Sequence, residues 1–112
     1  MINRIHLTSE STKITSSLHH TLRLRPNITS RNALMYSIAR GDRYDDSIDI
    51  KCDGKELNTQ VLFGDNAETY FLLIRQYYGK SLDTYNLRYL IAYHIDQALK
   101  DEAFTNHLKG KI

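Results

Sequence analysis

The only proline in this chain of 112 residues, Pro26, separates two segments with helical hydrophobic spacing. Before it, Ile14, Leu18 and Leu22 recur at every fourth position, which is typical of a helix with one narrow apolar face. The residue before a proline avoids helical dihedral angles, so the first helix must end there. The sequence therefore predicts a first helix over residues 10–23 and a second one that starts at the proline.

The second helix is expected to begin near Pro26 or Asn27, because proline fits a first helical turn and asparagine is a good N-cap. We expect the Asn27 side-chain oxygen to accept the backbone N–H of Ser30. Gly41 is the expected C-terminal stop. The core face of this helix is supplied by five apolar residues: Ile28, Leu34, Met35, Ile38 and Ala39.

Short strands are predicted on either side of this helical pair. Residues 4–8, "RIHLT", alternate apolar and polar side chains and predict a half-buried strand, after which Thr8 or Ser9 caps the first helix. Residues 48–52 and 59–63 are predicted to pair as a hairpin around the "DGKELN" turn. The N-terminal strand then pairs either with this hairpin or with the same strand of a second copy, as in ribbon-helix-helix proteins.

Two further helices are predicted over residues 66–78 and 82–103, and the polar tail after Phe104 is expected to fray. The predicted fold class is mainly α with a short N-terminal strand and a small β-hairpin. It consists of a ribbon-helix-helix-like N-terminal half and two C-terminal helices. We expect a single domain over residues 1–112, since this length supports one core.

Charge is segregated along the chain. Residues 1–43 hold seven basic and two acidic residues, a net charge of +5, whereas residues 44–71 hold two basic and seven acidic residues, a net charge of −5. Such segregation suggests one region that faces a polyanion and an acidic segment that faces elsewhere or contacts a basic neighbour.

Other sequence features restrict the location and the chemistry. No apolar run approaches the ~20 residues that span a bilayer, and the N-terminus lacks the apolar core of a signal peptide, so we expect a cytoplasmic protein. Cys52 is the only cysteine, and we interpret it as a packed, inert thiol. His19 and His20 are adjacent and therefore point in different directions on a helix. We expect no metal site, no cofactor and no catalytic group.

The stretch "LRLRPNITSRNAL", residues 22–34, places Arg23, Arg25 and Arg31 around a helix start with no acidic residue among them. A helix N-terminus is a ready site for phosphate, and three arginines could converge on it. The alternative is that they only solubilise a helix corner. Outside this stretch, Arg4 and His6 lie on the outer side of the first strand, where they face either a nucleic acid or solvent.

Tyr85, Tyr89 and Tyr93 form a stripe beside the apolar face of the last helix. Packing within the core or against another subunit is favoured over stacking on single-stranded bases.

Four stretches resemble the DndE family of DNA phosphorothioation (DNA sulfur modification) proteins. They are "NRIHLT", "RPNITSRNALMYSI", "DGKELNTQVLFGDNAETYFLLIRQ" and "LRYLIAYHIDQALK", and they follow one another over nearly the whole chain. Arg25 stands where the family usually has a small or hydroxylated residue, and it adds a charge at the helix start.

The resemblance implies a small, mainly helical and non-enzymatic component of a bacterial, multi-protein system that replaces a non-bridging phosphate oxygen of DNA with sulfur. It also implies binding to duplex and especially nicked DNA through basic residues. Other phosphorothioation proteins are the implied partners, and the sulfur chemistry belongs to them. Assembly into a homo-oligomer is implied as well, with a tetramer as one option.

The sequence thus favours a non-catalytic DNA-binding component that contacts the phosphate backbone. The candidate DNA-contacting residues are Arg4, His6, Lys13, Arg23, Arg25, Arg31 and Arg40. Two alternatives stand beside it. One is a ribbon-helix-helix transcriptional regulator that reads a specific sequence, and the other is an adaptor that binds the modification proteins but not DNA.

Overall fold

The computed structural model describes residues 3–44, 49–79 and 84–110. Strand β1 (Arg4–His6) is followed by helices α1 (Ser9–Leu22) and α2 (Pro26–Arg40), strand β2 (Glu56–Asn58), and helices α3 (Thr59–Phe63), α4 (Ala67–Tyr78), α5 (Thr84–Leu99) and α6 (Glu102–Leu108). The predicted fold class is confirmed: the protein is mainly helical, with a short N-terminal strand in a small two-stranded antiparallel sheet. No helix within the described ranges is long and apolar enough to cross a membrane.

The N-terminal strand finds its partner within the same chain. β1 runs antiparallel to β2, with Ile5 opposite Leu57 and both side chains buried. Arg4 lies opposite Asn58, and His6 lies opposite Glu56. This pairing occupies one edge of β1 with a strand of the same chain, where a ribbon-helix-helix protein pairs the strand with that of a second copy.

The expected pairing of residues 48–52 with residues 59–63 is wrong. Residues 59–63 form α3, β2 occupies part of the segment that was expected to turn, and residue 48 lies outside the described ranges. The cause is local, because the side-chain oxygen of Asn58 accepts the backbone N–H groups of Gln60 and Val61 and so caps α3. A cap overrides the strand propensity of the "TQVLF" run that follows it.

Helix α5 forms the centre of the core. Every residue from Leu90 to Asp96 is buried, and α5 packs against β1, α1, α2 and α6. A helix that is buried on all sides must also bury polar groups, here His94 and Asp96, and each of them has partners. Asp96 accepts hydrogen bonds from the hydroxyls of Thr8 and Ser11, which ties the start of α1 to α5.

Two helix boundaries differ from those predicted. The expected helix over 82–103 is two helices, because α5 ends at Leu99 and the Asp101 carboxylate caps α6 by accepting the N–H of Ala103. The tail after Phe104, which was expected to fray, is helical as far as Leu108. Its anchor is the Phe104 ring, which is buried against Tyr36 at 4.9 Å between centroids.

The start of α2 also differs in its cap. Asn27 lies inside the first turn and donates from its side-chain nitrogen to the carbonyl of Val61 at 3.2 Å. Arg25 occupies the N-cap position without any side-chain capping bond. The other expected ends are confirmed, because Thr8 caps α1 through the N–H of Ser11 and Gly41 ends α2 in the left-handed conformation.

Gly54 allows the β2 segment to lie directly against the start of α1. A Cβ atom at this position would stand 2.2 Å from the Thr12 hydroxyl and 2.4 Å from the Thr8 carbonyl oxygen. The Gly54 N–H donates to the carbonyl of Leu7 at 2.7 Å, so the backbone cannot retreat without losing that bond.

We therefore expect Gly54→Ala to destabilise the fold by about 3 kcal/mol, because the added carbon overlaps backbone that cannot shift. Gly41→Ala is the matched control, since a Cβ there meets nothing within 4 Å and only the positive φ is unfavourable. The control should lose about 1 kcal/mol. Urea unfolding followed by circular dichroism measures both, and equal losses in the two variants would contradict the close approach at Gly54.

Candidate nucleic-acid interface

The connection between α1 and α2 is a tight basic corner. Arg23 ends α1 in the left-handed conformation, with φ of 61°, and its N–H donates to the carbonyl of His19. Two residues later, Arg25 has extended backbone and precedes α2. Both arginines are exposed. We call residues 23–28 the basic corner.

The N-terminus of α2 within this corner has no side-chain cap. No capping bond reaches it, its first turn holds no acidic residue, and proline occupies its first position. By contrast, α1, α3 and α6 each begin with a side-chain oxygen that accepts backbone N–H groups. The partial positive charge of a 15-residue helix is therefore left without an anion, beside two exposed guanidinium groups.

Arg31 has a different position from the other two arginines. It is half-buried, and its guanidinium donates to the carbonyl of Leu62 at 3.2 Å, while Asn27 donates to the neighbouring carbonyl of Val61. These bonds satisfy carbonyl groups of the short helix α3. Arg31 thus holds the first two turns of α2 against α3 and fixes the direction in which the basic corner points.

Arg4 and His6 share one carboxylate on the exposed face of the sheet. The Arg4 guanidinium lies 2.7 Å from one oxygen of Glu56, and the His6 imidazole lies 3.6 Å from the other. Glu56 compensates much of the positive charge of this face. The pairing favours an ordinary solvent-facing strand over a strongly basic one.

Lys13 and Arg40 have different surroundings. Lys13 is exposed on α1. The Arg40 guanidinium instead bridges the carboxylates of Asp42, at 2.5 Å, and Asp101, and it lies over the ring of Tyr36 at 5.2 Å. These two carboxylates more than compensate the positive charge of Arg40. The same contacts join the end of α2 to the start of α6.

The Arg40 pairs belong to a longer hydrogen-bonded series that sequence patterns gave no sign of. The Ser37 hydroxyl donates to Asp42 at 2.8 Å and therefore accepts from Nδ1 of His94, also at 2.8 Å. Nε2 of His94 is then left to accept from the Tyr78 hydroxyl at 2.6 Å. This polar series joins α2, α4, α5 and the loop after α2.

The polar series shifts the acid–base properties of its members. Burial lowers the pKa of His94 to about 4, with the nearby Arg43 guanidinium contributing to the decrease. The hydrogen bond from Arg40 holds the pKa of Asp42 below its usual range, and the hydrogen bond from Tyr36 does the same for Asp101. His94 is therefore a neutral core residue at physiological pH.

The tyrosine stripe of α5 packs within the chain. The ring of Tyr44 contacts the rings of Tyr89 and Tyr93 edge-on, at 5.1 and 5.3 Å between centroids. The Tyr89 hydroxyl accepts the N–H of Ile50, and Tyr93, which is buried, donates to the carbonyl of Arg43. These contacts agree with core packing for two of the three tyrosines; the side chain of Tyr85 lies outside the described part of the structure.

Cys52 is half-buried and packs against the core. Burial, together with the nearby carboxylates of Asp96 and Asp53, raises the pKa of its thiol. At neutral pH it is a protonated, weakly nucleophilic group. Within the described ranges, no three histidine, cysteine or acidic side chains are grouped as a metal site.

Comparison with known proteins identifies the family. The sequence model described as "DNA sulphur modification protein DndE" matches residues 4–106. The chain belongs to the DndE family. The resemblance seen in the four sequence stretches is thereby confirmed. No curated protein matches the chain.

Solved DndE structures share the fold. The crystal structure of DndE from Escherichia coli B7A, involved in DNA phosphorothioation modification, is 24% identical, covers 89% of this chain and 97% of that chain, and superposes with a TM-score of 0.79. A glycine-to-lysine DndE mutant involved in DNA phosphorothioation is also 24% identical, with a TM-score of 0.75 over 88% of this chain and 95% of that chain.

Acid should destabilise the protein through His94. Its folded pKa of about 4 lies below the unfolded value, so the unfolded chain binds more protons between those values. Stability should be fully present above pH ~6.5 and should fall by about 3 kcal/mol as the pH decreases to ~4. Urea unfolding at a series of pH values measures this loss.

His94→Gln should remove most of that pH dependence, although it also lowers stability at neutral pH. His20→Gln is the matched control for the substitution itself, because His20 is exposed on α1 and lies outside the polar series. An unchanged acid-dependent loss in His94→Gln would show that the destabilisation has another source.

Proposed function

We propose that this protein is a non-catalytic, DNA-binding component of a DNA phosphorothioation system, and that it contacts the backbone of duplex DNA, including nicked DNA, in the cytoplasm. Membership of the DndE family supports the system. The observation that carries the DNA contact is the basic corner, where the N-terminus of α2, which has no side-chain cap, follows directly on the exposed Arg23 and Arg25.

The charges around the corner favour phosphate over other ligands. Residues 11–41 contain five basic residues and no acidic one. Pro26 has no N–H, and the N–H of Ile28 donates to the carbonyl of Arg25, so a phosphate at the start of α2 would accept from the N–H of Asn27. It would also gain from the helix dipole, while the two guanidinium groups add charge-assisted bonds. Such contacts do not read base edges, so binding is expected to be largely independent of sequence and steeply dependent on salt.

The seven candidate residues divide into two groups on this proposal. Arg23 and Arg25 contact phosphate directly, and Arg31 orients the corner through α3. Lys13 is free to contribute on the same helix as Arg23. Arg4, His6 and Arg40 are the weaker candidates, since each already faces a carboxylate.

The sulfur chemistry is assigned to partner proteins. A protonated, half-buried Cys52 is poorly suited to accept or transfer sulfur. The role proposed for this chain is to place or retain the machinery on DNA.

A second proposal concerns contacts with proteins. Val61 and Leu72 are 60% and 55% exposed, and on this proposal they supply apolar surface for self-association. The acidic side chains of residues 49–56 offer a separate surface to a basic partner, which supports an adaptor role beside DNA binding.

The sequence-specific regulator is the less favoured alternative. Its paired strand would have to present Arg4 and His6 to DNA, whereas β1 pairs with β2 and both side chains lie against Glu56. A footprint at one defined operator would reverse this ranking.

The double variant Arg23→Gln/Arg25→Gln should weaken binding to intact and nicked duplexes by more than about tenfold at 0.1 M salt, because two phosphate contacts are lost. The plot of log K against log salt should become shallower by about 1.8. Fluorescence anisotropy on two duplexes of unrelated sequence measures both quantities.

Lys51→Gln/Lys55→Gln removes the same charge from the acidic segment and is the matched control. Both lysines are exposed, so folding should be unaffected. If the two double variants weakened binding equally, the basic corner would contribute only through the net charge of the protein. If the unmodified protein showed no salt-dependent binding, DNA contact would be excluded altogether.

A further inference from the structure

A shallow groove lies between α1 and the C-terminal part of the chain. It has a volume of about 280 Å³, an apolar floor of Ile14, Leu18 and Leu99, and polar side chains on its rim. The rim is formed by Lys13 and Ser17 of α1 and by Thr105 and Lys109 at α6. We call this feature the α1–α6 groove.

The side chains that line the α1–α6 groove favour an anion. Lys13 and Lys109 are exposed, no carboxylate lines the groove, and neither ammonium group has a salt bridge to any residue that the structure describes. The Ser17 hydroxyl is exposed beside them and can donate, whereas the Thr105 hydroxyl bonds back to helix carbonyls. Two ammonium groups and one hydroxyl donor form a suitable set for one phosphate.

The cleft lined by residues 8–10, 49–53, 96 and 100 provides the contrast. Its volume is about 370 Å³, but Glu10, Asp49, Asp53 and Asp96 line it together with Lys51 and Lys100. The Lys100 ammonium lies 2.8 Å from Asp96. That cleft disfavours an anion, so the distribution of carboxylates, and not the number of lysines, separates the two surfaces.

The groove and the basic corner lie at two points of the same helix. Lys13 and Arg23 are ten residues apart, which corresponds to about 15 Å along a helix axis. None of the exposed residues between them is acidic. The spacing is comparable with the roughly 12 Å width of the major groove of DNA.

We propose that the α1–α6 groove is a second phosphate-binding site, so that α1 contacts two backbone segments of one duplex, through Lys13 and Lys109 at one end and the basic corner at the other. The inference rests on the proposed DNA binding and deepens it. The groove volume is slightly below the range of about 300–1,000 Å³ usual for small-molecule pockets, which agrees with a single phosphate and its sugar.

The test is the salt dependence of Lys13→Gln/Lys109→Gln on the same duplexes. The slope of log K against log salt should become shallower by about 1.8, and the quadruple variant that also carries Arg23→Gln/Arg25→Gln should lose about 3.6. Lys51→Gln/Lys55→Gln remains the control for net charge and should change the slope far less.

The outcomes separate the two proposals. A normal slope in Lys13→Gln/Lys109→Gln, with a reduced slope in the arginine variant, overturns the second site and leaves the corner in place. Normal slopes in both variants overturn the proposed function itself. Stabilisation by inorganic phosphate that depends on the two lysines, without any change in duplex binding, would assign the groove to a free anion and would also overturn the proposal.

Discussion

The hydrogen-bonded series from Tyr78 through His94 and Ser37 to Asp42 fixes the C-terminal half of α2 against α4 and α5. Arg40 extends it to Asp101 at the start of α6. A helix of 15 residues is about 22 Å long and stiff, so holding one end determines where the other end points. The buried polar network at one end of α2 and the bonds of Asn27 and Arg31 to α3 at the other end therefore fix the position of the basic corner together.

Internal pairing decides which cations remain for a ligand. Arg40 is held between two carboxylates, Arg4 faces Glu56, and Arg31 bonds a backbone carbonyl. Arg23, Arg25, Lys13 and Lys109 are left exposed. Overall charge is only +2, so it is this sorting that leaves exposed basic side chains, unpaired among the described residues, near the two ends of α1, whereas residues 49–56 hold three acidic and two basic residues. A net charge this small has little effect on solubility or on self-repulsion. A polyanion is nevertheless attracted most strongly to the side of the protein that carries the exposed basic residues.

The sequence was informative wherever a local rule decided the structure. Apolar spacing placed α1, α2 and α4, and the caps at Thr8 and Gly41 were recognisable from residue type. It failed where two local signals competed, as at Asn58, whose cap made a helix of a β-rich run. It also failed where a short break was hidden by continuous periodicity, as between α5 and α6.

The same distinction applies to the candidate interface. The arginines around Pro26 were identifiable, because basic residues without acidic neighbours are visible in one dimension. The sequence could not show which basic residues lack an internal partner, because the partners of Arg31 and Arg40 lie 31 and 61 residues away. The pairing of His94 with Ser37, across 57 residues, has no sequence signature at all. Lys109 became a candidate contact residue only from the structure, in which it lines the same groove as Lys13.

Amide chemical-shift mapping with a short duplex tests the central claim most directly, because it locates the contact without any substitution. The account predicts that the largest changes on titration fall at residues 23–28 and around residues 13–17, and that they disappear at high salt. Largest changes at residues 49–56, or no changes at low salt, would contradict it.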